Sequence, residues 1–352
     1  EYIKAGKGKD LGFEQVYLFE SKISSGNGEQ ALSRDFSRLT DQFDLPRLLS
    51  FFHSSNGFYW SNMLVIWSTS WFVYTQLLIS VCVPDEENAL LSDLTKAVTF
   101  SVQLGIILTV PLVAELILEK GVGAATYQML RVLGTGGPLF FMFHIRTKSY
   151  FYDITVTLGG AKYMPTGRGF VLGHTNFVKL FRMFCNSHFN YGFTLTLNLV
   201  VYWQFIVDPS EYLPVSWATW LFALDLLYAP FVFNCLAFDR IEVEKDLNSW
   251  RKFIWRNDLV DPSMSWRAPW EDANSIYNNL STTQKANLIC RNLFWLILAL
   301  AIIIENLGSS TEHLYVVPVI VLFGLMVMMC VTRNSVAFMG LGCFRQGLKS
   351  RR

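Results

Sequence analysis

The sequence predicts an all-α polytopic membrane protein with about six transmembrane helices. Of the 352 residues, 52% are hydrophobic and 16% are charged, whereas a soluble domain carries roughly 25% charged residues. Apolar stretches close to the roughly 20 residues that cross a bilayer recur along the chain. The basic residues collect in alternate loops, as expected for a protein that crosses the membrane repeatedly.

The composition also excludes classes of partner. Because 29 Lys and Arg residues balance 28 Asp and Glu residues, the chain lacks the basic excess that neutralises phosphates, and we expect no nucleic-acid partner. The six cysteines and five histidines are scattered, without a CxxC pair or a ligand spacing. We therefore predict neither a disulfide framework nor a metal site in this chain.

Six apolar stretches are predicted to span the membrane. They are approximately residues 60–83, 97–118, 191–207, 214–238, 288–307 and 314–331. A seventh apolar stretch, residues 129–143, contains Arg131 and is interrupted by the GTGGP run at Gly134–Pro138. This break favours a re-entrant or interfacial segment over a seventh spanning helix.

The charge of the loops supports this count. Residues 1–59, 119–190, 239–287 and 332–352 carry seven, eight, seven and five Lys or Arg residues, whereas 84–96, 208–213 and 308–313 together carry one. The positive-inside rule then predicts a multi-pass plasma-membrane location with both ends of this chain in the cytosol. The final KSRR could also contact anionic lipid, although ordinary positive-inside bias accounts for it.

These boundaries divide the chain into seven parts. We predict the C-terminal edge of a cytosolic domain with an interfacial helix (1–58), two spans (59–118), a cytosolic or re-entrant segment (119–190), two spans (191–238), a Trp-rich interfacial segment (239–287), two spans (288–332) and a basic tail (333–352). The chain begins EYIKAGKGKD without Met, and we expect it to be a piece of a longer protein.

Residues 1–58 contain no long apolar run and hold most of the candidate chemistry. Ser25–Gly28 is predicted to form a turn ahead of a helix from about residue 29 to residue 40. Glu29, Gln30 and Arg34 would then follow a helix start, where backbone N–H groups attract phosphates. An ordinary helix cap with an ion pair explains the same residues. Pro46 is expected to open a short interfacial helix.

Two further sets of residues could carry chemistry. In GKGKD, Lys7 and Lys9 flank Gly8, which permits close backbone approach to an anion, although a mobile basic loop has the same sequence character and the run is not a P-loop. Asp225 lies in the middle of an apolar stretch. A carboxylate there either lines a polar path or is paired within the helices.

Several motifs resemble, in order and spacing, one family of enzymes. EYIKAGKGKDLGF, FESKISSGNGEQALSRDF, YMPTGRGFV, RMFCNSHF, APFVFNCLAF and NSWRKFIW resemble the C-terminal half of 1,3-β-glucan synthase catalytic subunits, which include the callose synthases. The resemblance implies a processive inverting glycosyltransferase that polymerises glucose from UDP-glucose and conducts the glucan chain across the membrane. It also implies membrane lipids and a regulatory Rho-type GTPase as partners.

The resemblance also implies roles for individual residues. The catalytic base and the ligands of a divalent cation would lie upstream of Glu1, so residues 1–352 alone would hold no cofactor and would be inactive. GEQALSRD is similar to the family's QxxRW helix but lacks its Trp. The implied catalytic residues are Lys22 and Arg34, and the implied substrate-binding residues are Lys7, Asp10, Glu29, Gln30 and Asp35. In TGRGF, Met164 stands where the family has Arg, so only Thr166, Gly167 and Arg168 match.

Two alternatives remain beside the synthase. A polytopic transporter or lipid scramblase would also contain six spans, a Gly-broken segment and Asp225. A non-catalytic membrane scaffold would lack affinity for UDP-glucose. The polar GEQ/SRD segment beside a Lys-rich loop favours the synthase, because neither alternative requires it.

The predicted topology can be tested by cysteine labelling of the full-length protein. Cysteine in place of Glu87 or Glu312 should react with an impermeant reagent from outside the cell, whereas cysteine in place of Lys162 or Lys252 should react only after permeabilisation. Labelling with the opposite sidedness at both outer positions would show that the six-span topology is wrong.

Overall fold

A computed structural model describes residues 12–39, 41–82, 110–111, 113–160, 173–205, 209–255 and 267–286. All regular structure in these ranges is helical, which confirms the all-α prediction for this part of the chain. The helices are α1 (Phe13–Leu32), α2 (Asp35–Leu39), α3 (Leu45–Ser54), α4 (Asn56–Cys82), α5 (Val122–Gly134), α6 (Gly137–Leu158), α7 (Phe177–Phe184), α8 (Asn190–Phe205), α9 (Pro209–Val232), α10 (Arg240–Trp255) and α11 (Arg267–Asn279).

Helix α6 lies at the centre of the described bundle, where it packs against α1, α4 and α9. Gly136 precedes it in the left-handed conformation (φ 73°), and Pro138 occupies its first turn, where a missing N–H costs nothing. Because α5 ends at Gly134 and α6 begins at Gly137, the predicted break at GTGGP is confirmed.

Helix α1 packs against α6 through a face of small side chains. The buried residues of α1 are Tyr17, Ser21, Ser24, Ser25, Gly28 and Ala31. A Cβ atom built on Gly28 would lie 2.8 Å from Thr155 Cβ and 3.2 Å from the Tyr152 carbonyl oxygen. The glycine is therefore required for close approach of two helices, and the turn predicted at Ser25–Gly28 is wrong.

The chain beyond α1 differs from the single helix predicted over residues 29–40. The helix is interrupted at Ser33 and Arg34, and α2 then runs for only five residues. Helix α3 follows, with Asp44 at its N-cap and Pro46 in its first turn. The short helix expected from Pro46 is confirmed.

Helices α4, α8 and α9 share an apolar core. It contains Ile66, Val73, Leu195, Leu199, Phe222, Ala223 and Leu226. Among the described residues, one helix is long and apolar enough to cross a membrane, over Val215–Val232. The predicted spans at 288–307 and 314–331 and most of 97–118 lie outside the described residues. The six-span topology therefore stays a prediction.

The Trp-rich segment is helical on both sides of its centre. Helix α10 packs against α7, with the rings of Trp250 and Phe253 centred 5.2 and 5.9 Å from that of Phe181. Helix α11 follows after residues 256–266, which lie outside the described ranges. The predicted location of this segment at the membrane surface stays a prediction.

The close contact of α1 with α6 predicts opposite effects at two neighbouring glycines. Gly28→Ala should lower the free energy of unfolding by about 1–3 kcal/mol, because the new methyl group overlaps Thr155. Gly26→Ala is the matched control: it is exposed, helical and has nothing within 4 Å of its Cβ position. Alanine there should be neutral or stabilise by up to about 1 kcal/mol.

Thermal unfolding of the full-length protein in detergent measures this difference. Equal melting temperatures for the two variants would contradict the close helix contact at Gly28.

Candidate functional site

A shallow, open groove of about 500 Å³ lies at the C-terminal end of α1. Its lining residues are Ile23, Gly26, Asn27, Glu29, Gln30, Ser33 and Asp35. Three of the predicted substrate-binding residues, Glu29, Gln30 and Asp35, therefore lie together. Carboxylate, amide and hydroxyl groups of this kind recognise ligands with many hydroxyl groups, because each donates to or accepts from a hydroxyl.

The groove lies at the C-terminal end of a helix, whereas the sequence predicted that these residues would follow a helix start. Because α1 continues through SSGNGEQ to Leu32, Glu29 and Gln30 occupy its last turn. The exposed groups of that turn are carbonyl oxygens, which carry the negative end of the helix dipole. The interpretation that N–H groups of a helix start attract phosphate here is wrong, and any cationic character must come from side chains.

Hydrogen bonds shape the break that follows α1. The Ser33 N–H donates to the carbonyl oxygens of Glu29 and Gln30 at 3.0 and 3.2 Å. The Ser33 hydroxyl donates to the Gln30 carbonyl oxygen at 2.8 Å and accepts from the Asp35 N–H at 3.2 Å. Asp35 is thereby held at the edge of the groove.

The two predicted catalytic cations flank the groove rather than line it. Arg34 lies between the lining residues Ser33 and Asp35 and is exposed. Lys22 is half-buried and precedes Gly26 and Glu29 by four and seven residues, which places it on the same face of α1. Lys7 and Asp10, also predicted to bind substrate, lie outside the described residues, as do Thr166, Gly167 and Arg168.

A half-buried charged cluster that the sequence did not suggest joins α1 to α6. Glu20 lies 3.9 Å from Lys148 Nζ and 4.0 Å from His144 Nδ1, and all three side chains are less than a fifth exposed. The Lys148 ammonium also lies 5.1 Å from the centre of the Phe58 ring. The four-residue spacing of His144 and Lys148 was visible in the sequence, but nothing indicated that Glu20 would face them.

Burial sets the protonation states in this cluster. Burial, reinforced by the positive charge of Lys148, lowers the pKa of His144 to about 4. Burial raises the pKa of Glu20, and the attraction of Lys148 opposes this shift. At neutral pH the His144 ring is therefore uncharged, and the 4.0 Å contact with Glu20 is not an ion pair.

A second buried network is built on the RMFCNSHF motif. Cys185–Phe189 form a π-helical turn, a geometry that is common at functional sites. This turn buries Ser187 and His188, and the Ser187 hydroxyl lies 2.7 Å from His188 Nδ1 and 3.0 Å from the Tyr17 hydroxyl. His188 Nε2 lies 3.2 Å from the Phe143 carbonyl oxygen, which can only accept, so Nε2 carries the proton.

The Tyr17, Ser187 and His188 side chains, which connect α1 and α6 to the π-helical turn, are uncharged. Burial and then the charge of Arg146 lower the pKa of His188, so its ring is neutral. Burial also raises the pKa of Tyr17. The Arg146 guanidinium donates to the Ser187 carbonyl oxygen at 2.7 Å. Because Ser187 and His188 are wholly enclosed, they position helices rather than contact a ligand.

A third cluster fixes the start of α10. His174 Nε2 lies 2.7 Å from an Asp246 carboxylate oxygen, and His174 Nδ1 lies 2.6 Å from the Cys235 carbonyl oxygen. Burial lowers the pKa of His174, but the hydrogen bonds to Cys235 and Asp246 and the nearby negative charge outweigh it and raise the pKa overall. Asn234 pairs with the N–H and the carbonyl oxygen of Thr175 at 3.1 and 2.8 Å.

Asp225 is isolated in the apolar part of α9. Its side chain is 5% exposed, and neither carboxylate oxygen has a hydrogen-bond partner in the part of the chain that the structure describes. In the same ranges no three His, Cys, Asp or Glu residues are arranged to hold a metal ion.

These features define a helical bundle of membrane-protein composition with a polar groove at one edge. The sequence profile of the 1,3-beta-glucan synthase component family matches residues 1–292. The chain therefore belongs to the 1,3-β-glucan synthase family.

Individual relatives agree with this assignment. The chain is 37% identical to callose synthase 5 of Arabidopsis thaliana over 285 residues, which cover 77% of the chain and 15% of that protein. It is 33% identical to callose synthase 9 of the same plant over 325 residues, which cover 89% of the chain and 17% of that protein. The chain thus spans only about a sixth of these relatives. No solved structure matches it significantly.

The neutral state of His144 predicts a pH dependence of stability. Its pKa of about 4 in the folded protein lies below the usual value, so the unfolded chain takes up a proton first as the pH falls. The free energy of unfolding is therefore unaffected by His144 above about pH 6.5 and decreases as the pH falls towards 4. Removing the ring in His144→Gln should make the melting temperature less sensitive to pH across this window.

The control is His53→Gln, which removes an exposed ring and should keep the wild-type profile. Melting in detergent at several pH values compares the three proteins. An unchanged pH profile in His144→Gln would contradict the proposed role of burial.

Proposed function

We propose that this chain is the C-terminal, membrane-associated part of a processive inverting glycosyltransferase. The whole protein would polymerise glucose from UDP-glucose into 1,3-β-glucan at the plasma membrane and conduct the polymer outward. The observation that carries this proposal is the convergence of Glu29, Gln30 and Asp35 in one groove, within the region that matches the family profile. Both termini of the chain would be cytosolic.

In this proposal the groove holds glucosyl units. Glu29 and Asp35 accept hydrogen bonds from sugar hydroxyls, and the amides of Asn27 and Gln30 both donate and accept. The carbonyl oxygens at the end of α1 add further acceptors. This chemistry suits a neutral sugar better than a phosphate, so the groove is assigned to the glucosyl unit of the acceptor or donor.

The diphosphate of the donor needs positive charge, which Lys22 and Arg34 supply beside the groove. When the acceptor 3-hydroxyl attacks the anomeric carbon, the bond to the diphosphate breaks and negative charge develops on the leaving group. A guanidinium offers paired donors to two oxygens, whereas an ammonium acts as a compact charge. Lys7 and Asp10 are proposed to contact substrate from the GKGKD run.

The remaining catalytic groups are proposed to lie outside this chain. A carboxylate base would take the proton of the acceptor hydroxyl, and a divalent cation would bind the diphosphate, both in the region preceding Glu1. Residues 1–352 alone are then expected to make no polymer.

Asp225 is proposed to line the path of the polymer. A buried carboxylate that has no hydrogen-bond partner among the described residues is costly in an apolar helix, and the hydroxyl groups of a passing glucan would supply hydrogen bonds. A transporter or scramblase would use such a carboxylate for its own substrate. UDP-glucose incorporation by the full-length protein separates these functions. Membrane lipids and a Rho-type GTPase are further proposed partners.

The proposal predicts that Arg34 and Lys22 act on turnover. In the full-length enzyme, Arg34→Lys and Lys22→Ala should each lower kcat by about 10²–10³, the effect of removing a preorganised electrostatic group. Arg47→Lys is the matched control, because Arg47 is exposed and its guanidinium lies 3.3 Å from Asp44 in a surface pair outside the groove. A pair of this kind contributes about 0–1 kcal/mol to stability, so turnover should change little.

Incorporation of glucose from UDP-glucose into polymer that a β-1,3-glucanase digests is the measurement, with melting in detergent as the check of folding. Wild-type turnover in both Arg34→Lys and Lys22→Ala would remove α1 from the proposed active site.

A further inference from the structure

Helix α10 exposes a face that combines basic and large apolar side chains. Arg240, Lys245, Arg251 and Lys252 are exposed on it. So are four apolar side chains, Ile241 (65% exposed), Leu247 (49%), Ile254 (41%) and Trp255 (84%). Single exposed apolar residues are ordinary on protein surfaces, but four on one helix beside four cations call for an explanation.

The opposite face of α10 is fixed to the rest of the bundle. Asp246 and Phe253 are 1% and 3% exposed. Asp246 binds His174 at 2.7 Å, and Phe253 and Trp250 pack on Phe181 of α7. Because both contacts lie on the inner face, α10 cannot turn its apolar outer residues inward without breaking them.

The connection from α9 continues this apolar surface. It joins the end of the candidate span, Val232, to the start of α10 at Arg240. Leu236 and Phe238 in this connection are 60% and 87% exposed. The Asn234 amide holds the connection to Thr175. Exposed apolar residues thus occur both in the connection that follows a membrane-type helix and along α10.

Resting on the interfacial location predicted for residues 239–287 and on the membrane lipids proposed as partners, we propose that the outer face of α10 docks on a bilayer surface that contains anionic lipids. Ile254 and Trp255 would enter the headgroup region, where an aromatic ring with a polar N–H is favoured. Arg251 and Lys252 would contact the anionic headgroups, and each such cation strengthens binding to an anionic surface roughly fivefold. The His174–Asp246 pair positions the helix for this contact.

The balance of charge favours lipid over an acidic protein surface. Glu242 forms an ion pair with Lys245, with 2.7 Å between the Lys245 Nζ and a Glu242 carboxylate oxygen. The remaining exposed carboxylates of this segment, Asp239 and Glu244, face three cations, Arg240, Arg251 and Lys252. The apolar residues that accompany these cations match the layered character of a bilayer surface, with charge above and hydrocarbon below.

Photocrosslinking of the full-length protein in nanodiscs tests the proposal. The photoreactive residue p-benzoylphenylalanine replaces Trp255 on the outer face, and in a matched control it replaces Ser249, which lies towards the inner face and is half-buried. The nanodiscs contain phosphatidylcholine alone or phosphatidylcholine with phosphatidylserine. Mass spectrometry identifies what each position captures.

We expect position 255 to capture lipid, with phosphatidylserine enriched several-fold over its fraction in the disc, and position 249 to capture protein. Reversing both charges in Arg251→Glu/Lys252→Glu should abolish the enrichment of phosphatidylserine, because two attractive charges become repulsive. Glu244→Lys should increase the enrichment of phosphatidylserine. Because poor folding would not produce an increase, this variant separates an effect of charge from an effect of folding.

Three outcomes would overturn the proposal. Position 255 could capture protein, which would assign this face to another part of the enzyme or to a partner protein. With the native charges in place, it could capture the two lipids in proportion to their abundance, which would show that the face has no selectivity for anionic lipid. It could form no crosslink, which would show that the face is solvent-exposed.

Discussion

The contact between α1 and α6 determines the arrangement of the other described elements. Gly28 allows the two helices to approach until the backbone of one meets Thr155 and Tyr152 of the other. A helix that begins next to the α9–α10 connection can thereby extend across α6 and end in an open polar groove. If the helices stood further apart, Glu20 would leave His144 and Lys148, and Tyr17 would leave Ser187.

One polar network inside the bundle is built around uncharged side chains. The Tyr17–Ser187–His188 network is enclosed, and its histidine is neutral because burial disfavours the cation. At the edge of the bundle the opposite holds, since His174 pairs with Asp246 and two acceptors favour its protonated form. The same residue type thus serves as a neutral connector in the interior, whereas beside α10 its hydrogen-bond partners favour the protonated form.

The groove and the outer face of α10 represent two kinds of surface on one helical frame. The groove is small, polar and acidic, with cations at its edges, which suits a neutral sugar attached to a diphosphate. The α10 face is broad, apolar and basic, which suits a lipid surface. Both are held in place by inner faces that are closely packed, so substitutions on the outer faces should act on binding more than on folding.

The sequence alone determined the helical class, the break at GTGGP and the short helix at Pro46, because apolar stretches and proline positions act over a few residues. The family followed from the resemblance carried by its motifs, and the profile match over residues 1–292 shows it. The sequence also predicted a turn at Ser25–Gly28, which the structure shows to be helical. Gly and Ser occur both in turns and in close helix contacts, and only the partner helix distinguishes the two uses. The tertiary structure also decided that Glu20 meets His144 and Lys148, and that Asp246 meets His174, because such contacts depend on which face each helix presents to residues more than 70 positions away.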